Sequence, residues 1–264
     1  MRETQCGVKD RIFMVVCNET HPCRSEKGEE VNTIKKTARI AGFWYLLVAI
    51  FGSFNMMFVE SKLYVSGDAA ATVTNILASE WLFRLGILSN LITTICFLFL
   101  ADALYKLFKS VDKDLVRLMV IFIIASVPVA YLETLKFAPI LLLSGAGYLS
   151  AFEPAQLQAL AMVFLDMNKQ GLFIAYIFYG LWMFPLGLLV FKSGSGFIPK
   201  ALGILLMVGC FGYLVNFLAI FLSLNYKVIT SLWMNIAIVA EILCILWLLI
   251  KGPKDQKPAS IEAS

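Results

Sequence analysis

The chain has 264 residues, 60% of them hydrophobic and only 15% charged, and a mean hydropathy of +0.82. A soluble domain of this size carries about 25% charged residues, so the composition excludes an ordinary soluble protein and points to a chain that crosses a bilayer several times. The net charge of +4 sits mostly in short loops beside helix ends, with no basic stripe interleaved with aromatics, which speaks for membrane orientation and against nucleic acid as a partner.

Residues 1–30 are polar apart from IFMVVC at 12–17, a run too short for a secretory signal and lacking a small-residue cleavage site after it. Cys6, Cys17, His21 and Cys23 are ligand-type residues, but their spacing matches no standard zinc site, and no metal or cofactor is expected. Lys27-Gly28-Glu29-Glu30 must be encoded by a purine-rich run and Val31 can be a GTG codon, which is how a bacterial ribosome-binding site and alternative start look when translated. The expectation is therefore a tail over 1–30 that is disordered or absent from the native product, a membrane domain over 31–252 and a cytoplasmic tail over 253–264. Cys96, Cys210 and Cys244 lie inside apolar segments and read as small packing residues.

Six apolar segments follow in order, near 40–59, 82–105, 115–143, 171–191, 201–224 and 231–250. About 20 apolar residues span a hydrocarbon core, so each predicts a transmembrane helix and the fold class is an all-α, six-helix membrane bundle. Pro128 and Pro139 predict that the third segment kinks or ends early. Basic residues in short loops set the orientation: Lys35, Lys36, Arg39, Lys106, Lys109, Lys113, Lys192, Lys200, Lys251, Lys254 and Lys257 collect on one side, against Lys62, Lys169 and Lys227 on the other. Both termini are expected in the cytoplasm, the chain lying in a bacterial inner (plasma) membrane.

Two short amphipathic helices are expected on the outer side. Asp68 is a good N-cap for a helix with Ala69, Val73, Ile76 and Leu77 on one face, and Ser79 is a candidate cap for the following span. Phe152-Glu153-Pro154 opens a second helix, whose Leu157, Leu160, Ala161, Phe164 and Leu165 form an apolar face expected to lie on the outer leaflet, with packing over the bundle as the alternative.

The runs GDAAATVTNILASEWLFRLGI, YLSAFEPAQLQALAMVFLDM, IFYGLWMFPLGLLVFKSG followed by FIPKALGILL, and AEILCILWLLIKG together resemble the bacterial domain-of-unknown-function 4386 family over about residues 32–252. The resemblance implies a multi-spanning membrane protein and, since the family has no assigned activity, no mechanism. KSGSGFIP carries two residues more than the KSGFIP expected there, lengthening one cytoplasmic turn.

Catalytic motifs are missing: the single histidine, His21, lies in the tail, and there is no H-E-x-x-H, G-x-S-x-G, P-loop or strand-linked G-x-G-x-x-G. The expectation is a non-enzymatic protein, with carboxylate-only chemistry through Glu133, Glu241 or Asp102 as the minor alternative. Counting depth along each helix puts Asn55, Arg84, Asn90, Glu133, Lys136, Asn216 and Asn235 in the outer half and Glu241 near the midplane, a set that predicts an outward-facing polar cavity. An Arg84–Glu133 contact across two adjacent helices is expected, and Glu241 is expected to be either protonated or turned into the bundle toward a donor such as Asn55, Asn90 or Asn216, or toward a cation, as a structural carboxyl or as a proton or cation site. The bland reading is structural: Glu80 with Arg84 and Glu133 with Lys136 are same-helix partners, and asparagines glue helices together. Two function classes stay open, a protein that binds or moves a small molecule, ion or lipid, and an accessory envelope protein that works through partners. The first expects convergence of these residues on one pocket.

Overall fold

Inside hydrocarbon every backbone N–H and C=O must be satisfied within its own segment, so long apolar runs have no choice but the helix. The structure, a computed structural model, describes residues 24–65, 68–131, 138–139, 142, 147–194, 197–222 and 227–252, and among these every regular element is helical. Helix α1 (Arg24–Phe54) runs through a π-helical turn at Asn55–Glu60 into a last turn, Ser61–Leu63. The short α2 (Ala69–Ala78) leads to α3 (Glu80–Phe108) and α4 (Lys113–Tyr131). After a 3-10 turn at Gly147–Leu149 come α5 (Pro154–Lys192), α6 (Phe197–Phe221) and α7 (Lys227–Ile250). Six of these helices are long and apolar enough to cross a membrane, in the order the hydropathy predicts.

The tail expected over 1–30 lies largely outside the described residues, α1 beginning at Arg24, and residues 253–264 lie outside them as well. The third span is a described helix only to Tyr131 and carries Pro128 inside it; Glu133 and Lys136 fall in 132–137, outside the described residues.

Local signals at the helix starts behave as their chemistry dictates. Asp68 Oδ1 accepts from the Ala71 N–H at 2.9 Å and caps α2, and Val73 and Ile76 are buried beneath it, whereas Leu77 is 53% exposed. Ser79 stands at the N-cap of α3, but its side chain makes no capping bond. Glu153 and Gln156 form a reciprocal capping box that starts α5 at Pro154.

The main correction to the sequence reading is α5. The amphipathic stretch opening at Pro154 and the span expected at 171–191 are one continuous helix of 39 residues. At about 1.5 Å per residue that is about 58 Å, far longer than a hydrocarbon core of about 30 Å. Its first half packs partly on the bundle: Leu165 joins Val59, Leu63, Ile76, Phe83 and Ile87 in a small buried cluster that unites α1, α2, α3 and α5 at the end away from the basic clusters.

Around the main core the six long helices form a closed ring, in which α1 packs on α3, α3 on α4, α4 on α5, α5 on α6, α6 on α7 and α7 on α1. The ring closes where Gly252 ends α7 in the left-handed conformation (φ 61°), its N–H bonded to the Trp247 carbonyl at 2.8 Å, with the Ala38 methyl of α1 against its Cα. The middle is filled: Trp182 of α5 reaches across to Tyr45 of α1 (ring centroids 5.7 Å) and Phe97 of α3 (5.2 Å), over buried Met183, Leu186, Leu104 and Met119. Residues such as Ile50, Leu88, Phe99, Ile121, Phe211 and Ile242 point outward, as a lipid-facing surface requires.

Candidate functional site

Glu241 stands near the middle of the apolar span Ser231–Ile250, partly buried, one turn from the fully buried Ala237 and Cys244. Its donor is the Tyr213 hydroxyl of α6, at 2.9 Å from Glu241 Oε1, and not one of the asparagines expected from the sequence. Around Tyr213 the rings of Tyr176 and Tyr179 of α5 lie at 5.8 and 6.3 Å, three residues apart on one helix face, and Phe97 of α3 closes on Tyr179 at 6.1 Å. From α1, Tyr45 lies in the same buried cluster as Cys244, which is one turn along α7 from Glu241, and α1 packs directly on α7. The Tyr45 hydroxyl is buried with no hydrogen-bond partner among the described residues, a state that costs about 1–3 kcal/mol. Among the described residues Glu241 forms no ion pair with a lysine or arginine. The result is a carboxyl group near the middle of its span, bonded to one phenol hydroxyl of α6 that is itself packed among the tyrosine rings of α5.

The other expected site residues are dispersed. Asn55 is buried in the π turn, where its Nδ2 donates to Glu60 Oε1 at 3.2 Å and its Oδ1 faces Gly86 of α3. Arg84 is exposed and paired with Glu80 on its own helix, Nε to Oε1 2.7 Å. Asn90 and Asn216 are half-buried and Asn235 is exposed. Glu133 and Lys136, outside the described residues, take no part in this description. A cavity of about 490 Å³ lies elsewhere, along Asn32, Lys35, Lys36, Arg39, Ile40 and Phe43 at the basic end of α1. Asp102, the third candidate carboxylate, is exposed and paired with Lys106 at 2.6 Å.

At the same basic end, Lys192 closing α5 donates to Asp112 Oδ2 at 2.8 Å, while Asp112 Oδ1 accepts from the Leu115 N–H at 3.0 Å and caps α4. The Lys192 ammonium, then the Leu115 N–H, hold the Asp112 carboxyl below the usual carboxylate range.

The sequence pattern that threads these helices matches a family-wide profile, the domain of unknown function DUF4386, over residues 40–252. The chain belongs to the DUF4386 family. It is also 38% identical over 81 residues to an uncharacterized protein of Archaeoglobus fulgidus, a stretch covering 31% of this chain and 46% of that one, so the match spans less than half of the relative. No solved structure matches the chain. In this DUF4386 protein the tyrosines around Glu241 were the residues that sequence reasoning passed over.

Proposed function

We propose that this protein is a non-enzymatic, multi-pass protein of the plasma membrane that binds, and in doing so carries or senses, a small cation or protonatable molecule at Glu241. The observation that carries the reading is the Tyr213–Glu241 hydrogen bond near the middle of an apolar span, with no lysine or arginine among the described residues paired with the carboxylate. An ionised group at the centre of a bilayer costs about 2.5–3.5 kcal/mol on insertion scales, so it persists there when a positive ligand neutralises it. Three of the six long helices supply the surrounding rings, so occupancy of one carboxyl can be felt across the bundle.

The proposed orientation has both termini in the cytoplasm. It is supported by the basic clusters around Lys35, Lys106 and Lys192, which consecutive antiparallel spans bring to one end, and by the Lys192–Asp112 bond and the Ala38–Gly252 contact there.

The test is the purified protein in lipid vesicles, wild type against Glu241→Gln, with the thermal midpoint followed against pH and against sodium, potassium and tetramethylammonium chloride. The expected result is a response of the midpoint to at least one of these that the wild type shows and Glu241→Gln lacks, beyond the acid response that Asp112 gives both proteins. Identical responses in both proteins overturn the reading. A second reading, an accessory protein working through partners, is favoured by the exposed aromatic ridge of Phe43, Trp44 and Phe99 along α1 and α3, with Trp44 and Phe99 stacked at 4.7 Å.

A further inference from the structure

We propose that the ligand of this site is a proton and that Tyr45 is the second hydroxyl partner of Glu241, drawn onto the carboxyl when it ionises. This rests on the reading of Glu241 as an ion site. Tyr213 occupies one acceptor position of a group that, once ionised, offers about four lone-pair directions and no proton of its own. Tyr45 supplies the complementary half, a buried hydroxyl without a hydrogen-bond partner among the described residues, on the helix that closes the ring against α7. Buried hydroxyls are nearly always bonded, so one that is not, clustered with Cys244 on the helix packed against that of Glu241, is a donor available to the other protonation state.

The surroundings select the proton over other cations. A hard metal ion takes about six oxygen ligands, and intramembrane sites for such ions draw carbonyls from broken helices, whereas α6 and α7 are continuous through Tyr213 and Glu241. An organic ammonium would need a gap between aromatic faces, but the rings of Tyr176, Tyr179 and Tyr213 already touch one another at centroid distances of 5.8, 6.3 and 6.5 Å. A proton needs one oxygen and no space. The step is balanced simply: the proton leaves Glu241 to water, the carboxylate accepts hydrogen bonds from Tyr213 and Tyr45 with both phenols intact, and reprotonation releases Tyr45. The titratable groups around Glu241 are Tyr45 from α1, Tyr213 from α6 and Cys244 from α7 itself, with Tyr176 and Tyr179 of α5 behind Tyr213. The wired helices are thus α1, α6 and α7, and the protonation state of one carboxyl sets whether α1 is tied to the other two.

The experiment is infrared difference spectroscopy of the full chain in lipid vesicles, following the protonated-carboxyl band that Glu241→Gln abolishes. In Tyr45→Phe, which keeps the ring and removes only the hydroxyl, the band should titrate at higher pH by about one unit, a tenfold gain in proton affinity, because the anion has lost a donor. Tyr213→Phe should shift it the same way. In the wild type the tyrosine C–O band should change in step with the carboxyl band, and in Tyr45→Phe that change should shrink to the part owed to Tyr213; a wild-type band that does not change overturns the proposal even if the variant does not fold. An unshifted midpoint in folded Tyr45→Phe, or a tyrosine band indifferent to pH, overturns the role of Tyr45. A carboxyl band that responds to sodium, potassium or tetramethylammonium at fixed pH overturns the proton while leaving the ion site standing. A wild type in which the Glu241 band answers to neither pH nor any of these cations removes the ion site itself.

Discussion

Where α5 meets α6, and α6 meets α7, helices touch backbone to backbone; where α1 meets α3, they touch through side chains. A Cβ added to Gly187 would stand 2.7 Å from the Gly203 carbonyl oxygen, one added to Gly203 would stand 2.6 Å from that of Gly187, and one added to Gly180 would meet the Cys210 carbonyl at 2.9 Å. Gly212 lies equally tight against the Trp233 carbonyl. On the other side of the ring the Ser89 hydroxyl of α3 donates to the Phe51 carbonyl of α1 at 2.8 Å, and Gly86 is covered by the side chains of Val59 and Asn55 at the π turn. Backbone contacts have one arrangement, whereas side chains have several. The α5–α6–α7 half therefore reads as the fixed frame; α1, which carries Tyr45, meets it closely at Gly42, where a Cβ would stand 3.0 Å from the Leu249 N, and has its freedom along the seam with α3.

The largest effect that follows is in the frame. Gly203→Val places branched carbons against the Gly187 carbonyl and the Phe191 backbone, neither of which can turn aside, and should cost about 3 kcal/mol or more. Gly86→Ala meets only the ends of Val59 and Asn55 side chains and should cost about 1 kcal/mol. Unfolding of both variants in the same detergent compares the two seams directly. Equal losses would mean that the halves are equally rigid and that α1 has no special freedom.

These seams also show which parts of the fold the sequence exposes. The six spans are legible because hydrophobic length maps directly onto bilayer thickness, and the caps at Asp68 and Glu153 because one side chain and its own N–H groups decide them. The continuity of α5 was hidden, since Asp166, Lys169 and Gln170 interrupt the hydropathy without interrupting the helix; they are exposed on it, and no proline separates Pro154 from Pro185. Hydropathy reports where a helix sits in the bilayer, not where it ends. At the site, Glu241 stands out as a lone carboxylate in an apolar run, but its partner is a tyrosine, which is common at many depths and carries no charge to advertise it.

At the basic-end joint between α4 and the frame, Asp112 caps α4 and holds Lys192 of α5, so Asp112→Ala should cost about 1 kcal/mol, the usual loss of a helix cap. Its carboxyl is held below its ordinary range chiefly by the Lys192 ammonium. A group whose folded value is depressed contributes stability that is present above the unfolded value of about 4 and is lost as pH falls through the folded value. Acid titration of stability in Lys192→Met should therefore show a smaller loss at low pH than the wild type; an unchanged profile would mean that the joint is held by the cap alone.

In the responsive half, Ser89→Ala removes a hydroxyl bridge from α3 to the α1 backbone and should cost about 0.6 kcal/mol, the average for a membrane interhelical hydrogen bond. Hydrogen exchange of α1 should rise with it while that of α6 does not. Equal changes in both helices would merge the two halves into one cooperative unit.

The smallest expected effect is at Arg84, and it decides how far the side-chain seam reaches. Its guanidinium holds Glu80 one turn back on α3, with side-chain exposures of 55% and 47%, and an open pair of this kind contributes about 0–0.5 kcal/mol. Depth along the helices alone would pair it with Glu133 beyond α4 instead, in which case Arg84→Ala would strand a partly buried carboxylate and cost several-fold more. The expected outcome is a loss below about 0.5 kcal/mol that disappears in high salt, with Arg84→Ala and Glu80→Ala coupled by the same small amount and Arg84→Ala and Glu133→Ala additive. Rescue of a large Arg84→Ala loss by Glu133→Ala would instead lock α3 to α4 through a cross-helix ion pair. The freedom assigned to α1 would then rest on its contacts with α3 alone, since α3 itself would belong to the frame.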